Sequence, residues 1–264
     1  MLYTLVVMWQ YRGDVIVTDA VRISQTEISG SYMQYRYVTE KHNYEDYAAG
    51  RVILSQSGMT SFPVRLVSEI FQRCASYFPS DQRLRLYDPC CGGGYLLTVL
   101  GFLHGEQLLY LHGSDIDAER VALASSNLHL LTDTGLDLRR ATLQQLADTY
   151  GKQSHDDALQ SLDRLTPPNL PSFTWVSDAF QQSADAQSVD LMICDVPYGN
   201  VTTWQSTDGS DPITRLLDAQ FDTLVIGGIV AIISDKTQRA THPNYHQRQH
   251  ETLGKRRIMI LQKP

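Results

Sequence analysis

The sequence predicts an α/β fold: an open, mostly parallel sheet of seven strands, with an antiparallel last strand and an inserted helical hairpin. Three observations carry this. Leu84–Leu97 reads as an apolar run ending in Asp88, a turn holding Gly92, Gly93 and Gly94, and the start of an apolar helix. Leu108–Ser114 is a second apolar run, and it ends in Asp115. Gly228–Ile233 is a near-continuous apolar run of the sort found in parallel strands covered on both faces.

Each element follows in chain order. Residues 1–33 lack a convincing amphipathic pattern, although Val15-Ile16-Val17 suits a short strand, and they read as a poorly organised extension. Residues 34–264 read as one domain. An apolar triplet, Val52-Ile53-Leu54, is followed by a turn at Gly58, and Pro63 suits the first turn of a helix running to Phe78. The strand ending at Asp88 comes next, then a helix from Tyr95, the strand ending at Asp115, and a helix from Glu119 to Leu131 capped by Asp117. A third strand, Phe173–Val176, arrives about forty residues later than a minimal unit needs. Between them Leu143, Leu146 and Tyr150, then Leu159, Leu162 and Leu165, recur at helical spacing until Pro167-Pro168 stops the pattern. Residues 136–170 are therefore an inserted helical hairpin, serving as a substrate-recognition lid or as local padding. Val189–Asp195 is a fourth strand, Pro212–Leu224 a helix, and Arg257–Leu261 a last strand with no long helix before it.

Composition limits the function. The 264 residues are 42% apolar, enough to fill a sizeable core. No apolar run approaches the ~20 residues of a membrane span, and the apolar opening lacks a basic flank and a cleavage site, so no signal peptide is expected. Cys74, Cys90, Cys91 and Cys194 have no metal-ligand spacing and read as reduced thiols of a cytoplasmic protein, with no metal expected. A net charge of −7 argues against a generic nucleic-acid binder. The distribution softens this: from Asp235 to Pro264 seven Lys and Arg face only Asp235 and Glu251, leaving a local basic patch able to meet phosphate. A solvated face is the alternative use of that patch.

The motifs point to chemistry. Asp88, Gly92 and Gly94 form D-x-x-x-G-x-G; the third glycine of a dinucleotide fingerprint is replaced by Leu97, and no Walker lysine follows. This spacing resembles the first motif of Rossmann-like class I methyltransferases, whose ligand is S-adenosylmethionine. Asp115 lies about 20 residues on, where an acid reaches ribose hydroxyls, and Ile116 beside it is placed to pack on adenine. Asp178, just past the third strand, is placed either to accept from the adenine amino group or to cap a turn. Asp195-Val196-Pro197-Tyr198 resembles the [DNS]-P-P-[YF] motif of methyltransferases acting on planar nitrogen, with Val196 in place of the first proline.

Taken together, F-P-V-R-L-V-S-E-I-F, D-P-C-C-G-G-G-Y-L-L-T-V-L, G-S-D-I-D, the helical insertion and D-V-P-Y-G with Trp204 nearby are similar to the avilamycin-resistance methyltransferase family AviRa, over residues 35–264. The resemblance implies methylation of a guanine nitrogen, N1 or N2, in 23S ribosomal RNA or a large-subunit precursor, with resistance to an orthosomycin-type antibiotic as the consequence. It implies that Asp88, Cys90, Gly92 and Gly94 line the methionine, that Asp115 holds the ribose and Asp178 the adenine, and that Asp195, Pro197 and Tyr198 face the base. Trp204, Lys236 and Arg239 are the expected RNA contacts. Guanine N1 and N2 are poor nucleophiles because their lone pairs are conjugated. Asp195 is suited to accept a nitrogen-bound hydrogen, Pro197 fixes the direction of the Val196 carbonyl, and Tyr198 is suited to stack on an extruded base. Three other readings stay open: a DNA amino-methyltransferase, for which the insertion is small as a recognition domain; a protein glutamine methyltransferase, which favours Asn over Asp195; and a non-catalytic ribosome-associated module.

Overall fold

The structure, a computed structural model, describes residues 33–56, 62–182, 184–196, 211–238 and 241–264, together with the backbone of two short strands nearer the start. The chain divides into two compact units, Met1–Ser31 and Tyr32–Pro264. The first contains the two-residue strands Gln10–Tyr11 and Asp14–Val15, paired antiparallel.

The second unit is built on seven strands: β1 Leu84–Asp88, β2 Leu108–Asp115, β3 Ser172–Val176, β4 Val189–Asp195, β5 Leu224–Asp235, β6 His246–Leu253 and β7 Arg256–Gln262. Their order across the sheet is β3-β2-β1-β4-β5-β7-β6. The pairs β3–β2, β2–β1, β1–β4 and β4–β5 are parallel, whereas β7 runs antiparallel to both β5 and β6. In this sheet, then, the last strand opposes the other six, as the sequence predicts.

Two apolar layers cover the sheet. One packs Leu84, Leu86, Ile193, Ile233 and Ile258 against α1 (Val64–Ala75), α2 (Tyr95–His104) and α3 (Ala118–His129). The other packs Tyr87, Met192, Cys194 and Ile232 against α6 (Pro212–Ala219). Side chains of neighbouring strand residues go to opposite faces, so β4 and β5 are buried on both and read as continuous apolar runs.

The differences from the sequence analysis have local causes. Helix α1 stops at Ala75, where the Ser76 and Tyr77 amides turn back onto Gln72 and Cys74. Helix α6 stops at Ala219 because Gln220, fully buried, donates through Nε2 to the Ala179 and Gln181 carbonyls at 2.9 and 2.8 Å. Strand β5 starts at Leu224, before the two glycines, through a register irregularity opposite Asp190. The insertion begins early: α4 covers Asp133–Tyr150, capped by Thr132, and α5 covers Gln153–Asp163 beside it. Strand β6 has no counterpart in the sequence reading. H-Q-R-Q-H-E-T-L shows no apolar alternation because it is an edge strand with one neighbour, and polar residues suit an edge.

The start of this unit is strapped to α1. Glu69, buried, accepts the amides of Arg36, Tyr37 and Val38 at 2.8, 2.9 and 2.9 Å and pairs with Arg73 at 2.8 Å. Glu251 on β6 is the second acid beside Arg73, at 3.3 Å. Leaving any one of these charges without its partner would cost several kcal/mol.

Candidate active site

In this strand order the direction of progression reverses between β1 and β4, and ligands of such sheets bind outside the carboxyl ends of strands at that reversal. Asp88, Asp115 and Asp195 end β1, β2 and β4, and Asp178 lies two residues past the end of β3. The sheet thus gathers at one end the four carboxylates that the sequence singles out.

The turn after β1 is held by a ladder of hydrogen bonds. Oδ1 of Asp88 accepts the Cys90 amide at 2.9 Å, and the Cys91 amide reaches the Ser114 carbonyl on β2 at 2.9 Å. The Gly92 amide donates to Oδ2 of Asp115 at 2.9 Å, and the Gly94 amide closes the turn on the Cys91 carbonyl at 2.8 Å. Gly94 is left-handed, with φ +73°, and a Cβ on it would stand 2.9 Å from the Ala124 Cα on α3. Only glycine meets both conditions.

A residue missed by the sequence reading supports this turn from beneath. Asn127 on α3 is fully buried; its Nδ2 donates to the carbonyls of Gly93 at 2.8 Å and Leu54 at 3.0 Å, and its Oδ1 accepts the Leu54 amide at 2.7 Å. The only signal in the sequence is an amide side chain placed among the apolar positions Val121, Ala124 and Leu128 of a helix.

Asp115 is nearly buried, and both of its oxygens already accept amides, Oδ2 from Gly92 and Oδ1 from Asp117 at 3.1 Å. Each carboxylate oxygen retains a second lone pair for a hydroxyl. Asp117 caps α3, accepting from Glu119 and Arg120. Ile116 between them is 52% exposed, an apolar side chain presented at the mouth of the site. Oδ1 of Asp178 accepts the Phe180 amide at 2.9 Å, a turn-capping contact that leaves its second oxygen for other donors.

Electrostatics separate these acids. Burial, reinforced by the carboxyls of Asp195 and Asp115, pushes Asp88 up to about 8 against the pull of the Cys90 amide. Burial likewise pushes Asp195 up to about 7, and the positive charge of Arg256 works against it. Oδ1 of Asp195 is buried and, among the described residues, has no hydrogen-bond partner. Buried polar atoms in folded proteins are nearly always satisfied, so this one marks a place for a donor. Clustered carboxyls around a glycine turn also fit S-adenosylmethionine, whose sulfonium and ammonium charges would relieve the crowding of negative charge.

The remaining expected contacts are distributed unevenly. Lys236 is exposed in the turn after β5, at the same end of the sheet, its amide bonded to the Lys255 carbonyl at 3.0 Å. Pro197, Tyr198, Trp204 and Arg239 lie outside the described residues. The four cysteines are free thiols; Cys90 is half-buried beside the turn, and burial pushes the Cys91 and Cys194 thiols up. Among the described residues no group of His, Cys, Asp and Glu has the arrangement of a metal site, and no helix is long and apolar enough to cross a membrane.

Comparison with known proteins shows the family and the fold. The family model for the rRNA methyltransferase AviRa matches residues 33–256. A 23S rRNA (guanine(2535)-N(1))-methyltransferase from Streptomyces viridochromogenes is 35% identical over 216 residues, 78% of this chain and 86% of that protein. The solved structure of the rRNA methyltransferase AviRa from the same organism superposes with a TM-score of 0.77 at 32% identity, covering 87% of this chain and 96% of the other. A second structure of that enzyme gives a TM-score of 0.76.

Proposed function

The chain belongs to the rRNA methyltransferase AviRa family, and on that premise we propose that it transfers a methyl group from S-adenosylmethionine to N1 of a guanine in 23S ribosomal RNA. The observation that carries the chemical part is the buried Oδ1 of Asp195, without a hydrogen-bond partner among the described residues, on a carboxyl pushed up to about 7. An acid poised there is half ionised near neutrality, the condition under which a general base works best.

S-adenosylmethionine supplies an electrophilic methyl group on sulfur. Asp88, Cys90, Gly92 and Gly94 would line its methionine part, Asp115 its ribose, and Ile116 and Asp178 its adenine. Asp195 would accept the N1 proton of the guanine, leaving the electron pair on nitrogen for the methyl carbon. Val196 helps to hold that acid still, because its amide donates to the Ile233 carbonyl at 2.9 Å and so extends the pairing of β4 with β5 past Asp195. Pro197 and Tyr198 would direct the following carbonyl and stack on the base; Trp204, Lys236 and Arg239 would meet the RNA. Positioning two reactants in this way supplies several kcal/mol of barrier reduction.

The guanine-N(1) specificity in the name of the relative supports N1 over N2. Methylation removes a donor from the Watson–Crick edge, so a ligand that reads that edge would lose a hydrogen bond. We include resistance to an orthosomycin-type antibiotic in the proposal on that ground.

The test is direct. Incubating the enzyme with tritiated S-adenosylmethionine and unmethylated 23S RNA should place label on one guanine, released on digestion as 1-methylguanosine. Label on N2, on adenine, on duplex DNA or on a ribosomal protein would overturn the reading.

A further inference from the structure

Arg256 opens β7, and the sequence does not distinguish it from the six other basic residues near it. Strand pairing does. Asp195 pairs with Ile233, and Ile233 pairs with Ile258. Paired residues of adjacent strands point to the same face, and a step of two residues keeps that face. Arg256 is two residues from Ile258, so it shares the face of Asp195. Because β7 is antiparallel to β5, it also stands at the end of the sheet where Asp195 stands.

Its surroundings leave it one direction of use. The guanidinium carbon lies 5.1 Å from the centre of the Phe62 ring, a cation–π seat against a buried aromatic. Its charge is felt by the Asp195 carboxyl, yet Nε of Arg256 and Oδ1 of Asp195 are both buried with no hydrogen-bond partner among the described residues. A donor and an acceptor on one face at one end of the sheet, each left with a bare atom, offer complementary groups to a third placed between them.

We infer that Arg256 is a catalytic residue that, with Asp195, reads the Watson–Crick edge of the target guanine: Asp195 accepts N1–H and Arg256 donates to O6. The inference rests on the guanine-N1 reading above. Guanine sets a donor at N1 beside an acceptor at O6, which an acceptor–donor pair on the protein matches. Adenine sets the opposite order, an acceptor at N1 beside a donor at N6, and would meet like with like. The N1–H bond breaks, its proton passing to Asp195 and its electron pair staying on N1. That pair forms the bond to the methyl carbon while the carbon–sulfur bond breaks and its pair goes to sulfur. Between proton loss and methyl transfer the base carries negative charge shared by N1 and O6, and a fixed cation at O6 lowers the energy of that charge. Asp195 afterwards returns its proton to solvent.

Arg256→Met and Arg256→Lys in the full chain test this. Arg256→Met should lower kcat on 23S RNA about a hundred-fold, the typical loss on removing one such donor, with KM for RNA changed only a few-fold. Its acid limb of activity should move to higher pH, and carbon-13 NMR should find Asp195 titrating higher than in the unsubstituted protein. Arg256→Lys should restore the Asp195 titration but only part of the rate, since it keeps the charge and loses the planar fork. An RNA fragment with inosine at the target, which keeps N1–H and O6, should remain a substrate. Unchanged kcat in Arg256→Met overturns the inference, as does a lowered kcat with no shift in either titration, the result a purely structural arginine would give. Full turnover by Asp195→Asn in the same assays overturns it too, whereas label recovered on N2 rather than N1 would sink the reading beneath it.

Discussion

Asp115 and Gly92 are joined by a 2.9 Å hydrogen bond from the glycine amide to Oδ2, so the acid assigned to the ribose also props the turn assigned to the methionine. Its other oxygen holds the Asp117 amide that leads into α3. Cofactor binding and local stability therefore share one carboxylate.

Asp115→Ala should accordingly cost on two counts. Losing two amide acceptors in a nearly buried place should lower stability by about 2–4 kcal/mol, and affinity for S-adenosylmethionine should fall by at least ten-fold. Asp115→Asn should not rescue, because its amide nitrogen would meet one of the backbone donors. Thermal melts and calorimetry on the folded fraction check both; unchanged affinity would remove the ribose assignment.

Burial of Asp88 and Asp195 makes the ligand-free protein sensitive to pH in an unusual direction. In the folded protein these carboxyls hold their protons up to about 8 and about 7, whereas in the unfolded chain they release them near 4. Raised folded values mean a contribution to stability that is fully present below about pH 4 and is lost as pH rises through about 7 to 8. Melting temperature should fall as pH rises across that window, and Asp88→Asn, which keeps an acceptor for Cys90, should flatten the fall. Preference for S-adenosylmethionine over S-adenosylhomocysteine, whose thioether lacks the sulfonium charge, should rise over the same window. A flat profile for both proteins would mean that neither carboxyl is held protonated.

Glycine substitutions separate backbone strain from collision. Gly94→Ala combines φ +73° with a Cβ 2.9 Å from the Ala124 backbone, so α3 must shift. Gly151 ends α4 at φ +58° with open space around its Cβ position. Gly151→Ala should cost only the left-handed penalty of about 1–2 kcal/mol and leave ligand binding alone. Gly94→Ala should cost more and weaken S-adenosylmethionine as well, because the turn itself moves. Equal melting temperatures with equal affinities would show that the turn relaxes freely.

The sequence displays the acids of this site because each stands where a buried parallel strand stops. An apolar run ends abruptly, and Asp88, Asp115 and Asp195 mark those ends. Asn127 and Arg256 escape notice for the opposite reason. Asn127 is a polar residue in a helix until α3 packs beneath Gly93, and Arg256 is one basic residue among seven until β7 is paired against β5. Pairing across an antiparallel edge carries no local pattern. The same physics hides β6, whose polar sequence suits a strand with a single neighbour, and the end of α6, set by the buried bonds of Gln220 rather than by glycine or proline.

Lys236 is the described RNA candidate, and its role should appear as salt dependence. It is exposed in the turn after β5, at the end of the sheet that carries the four carboxylates, and its backbone is tied to Lys255. With a net charge of −7 the chain has little general attraction for polyanions, so affinity for RNA must come from a local patch and a shaped substrate. Each phosphate contact releases condensed counterions, and losing one lowers the slope of log affinity against log salt by about one. Lys236→Ala should therefore weaken binding to 23S RNA fragments across sequences and flatten the slope by about that amount. Affinity for S-adenosylmethionine should stay the same, because its assigned carboxylates, Asp88, Asp115 and Asp178, belong to other strands. Free 23S RNA or an incomplete particle should be the better substrate, since a base enclosed in the finished subunit is costly to extrude. A slope unchanged by Lys236→Ala would assign the phosphate contacts to other residues of the basic terminus.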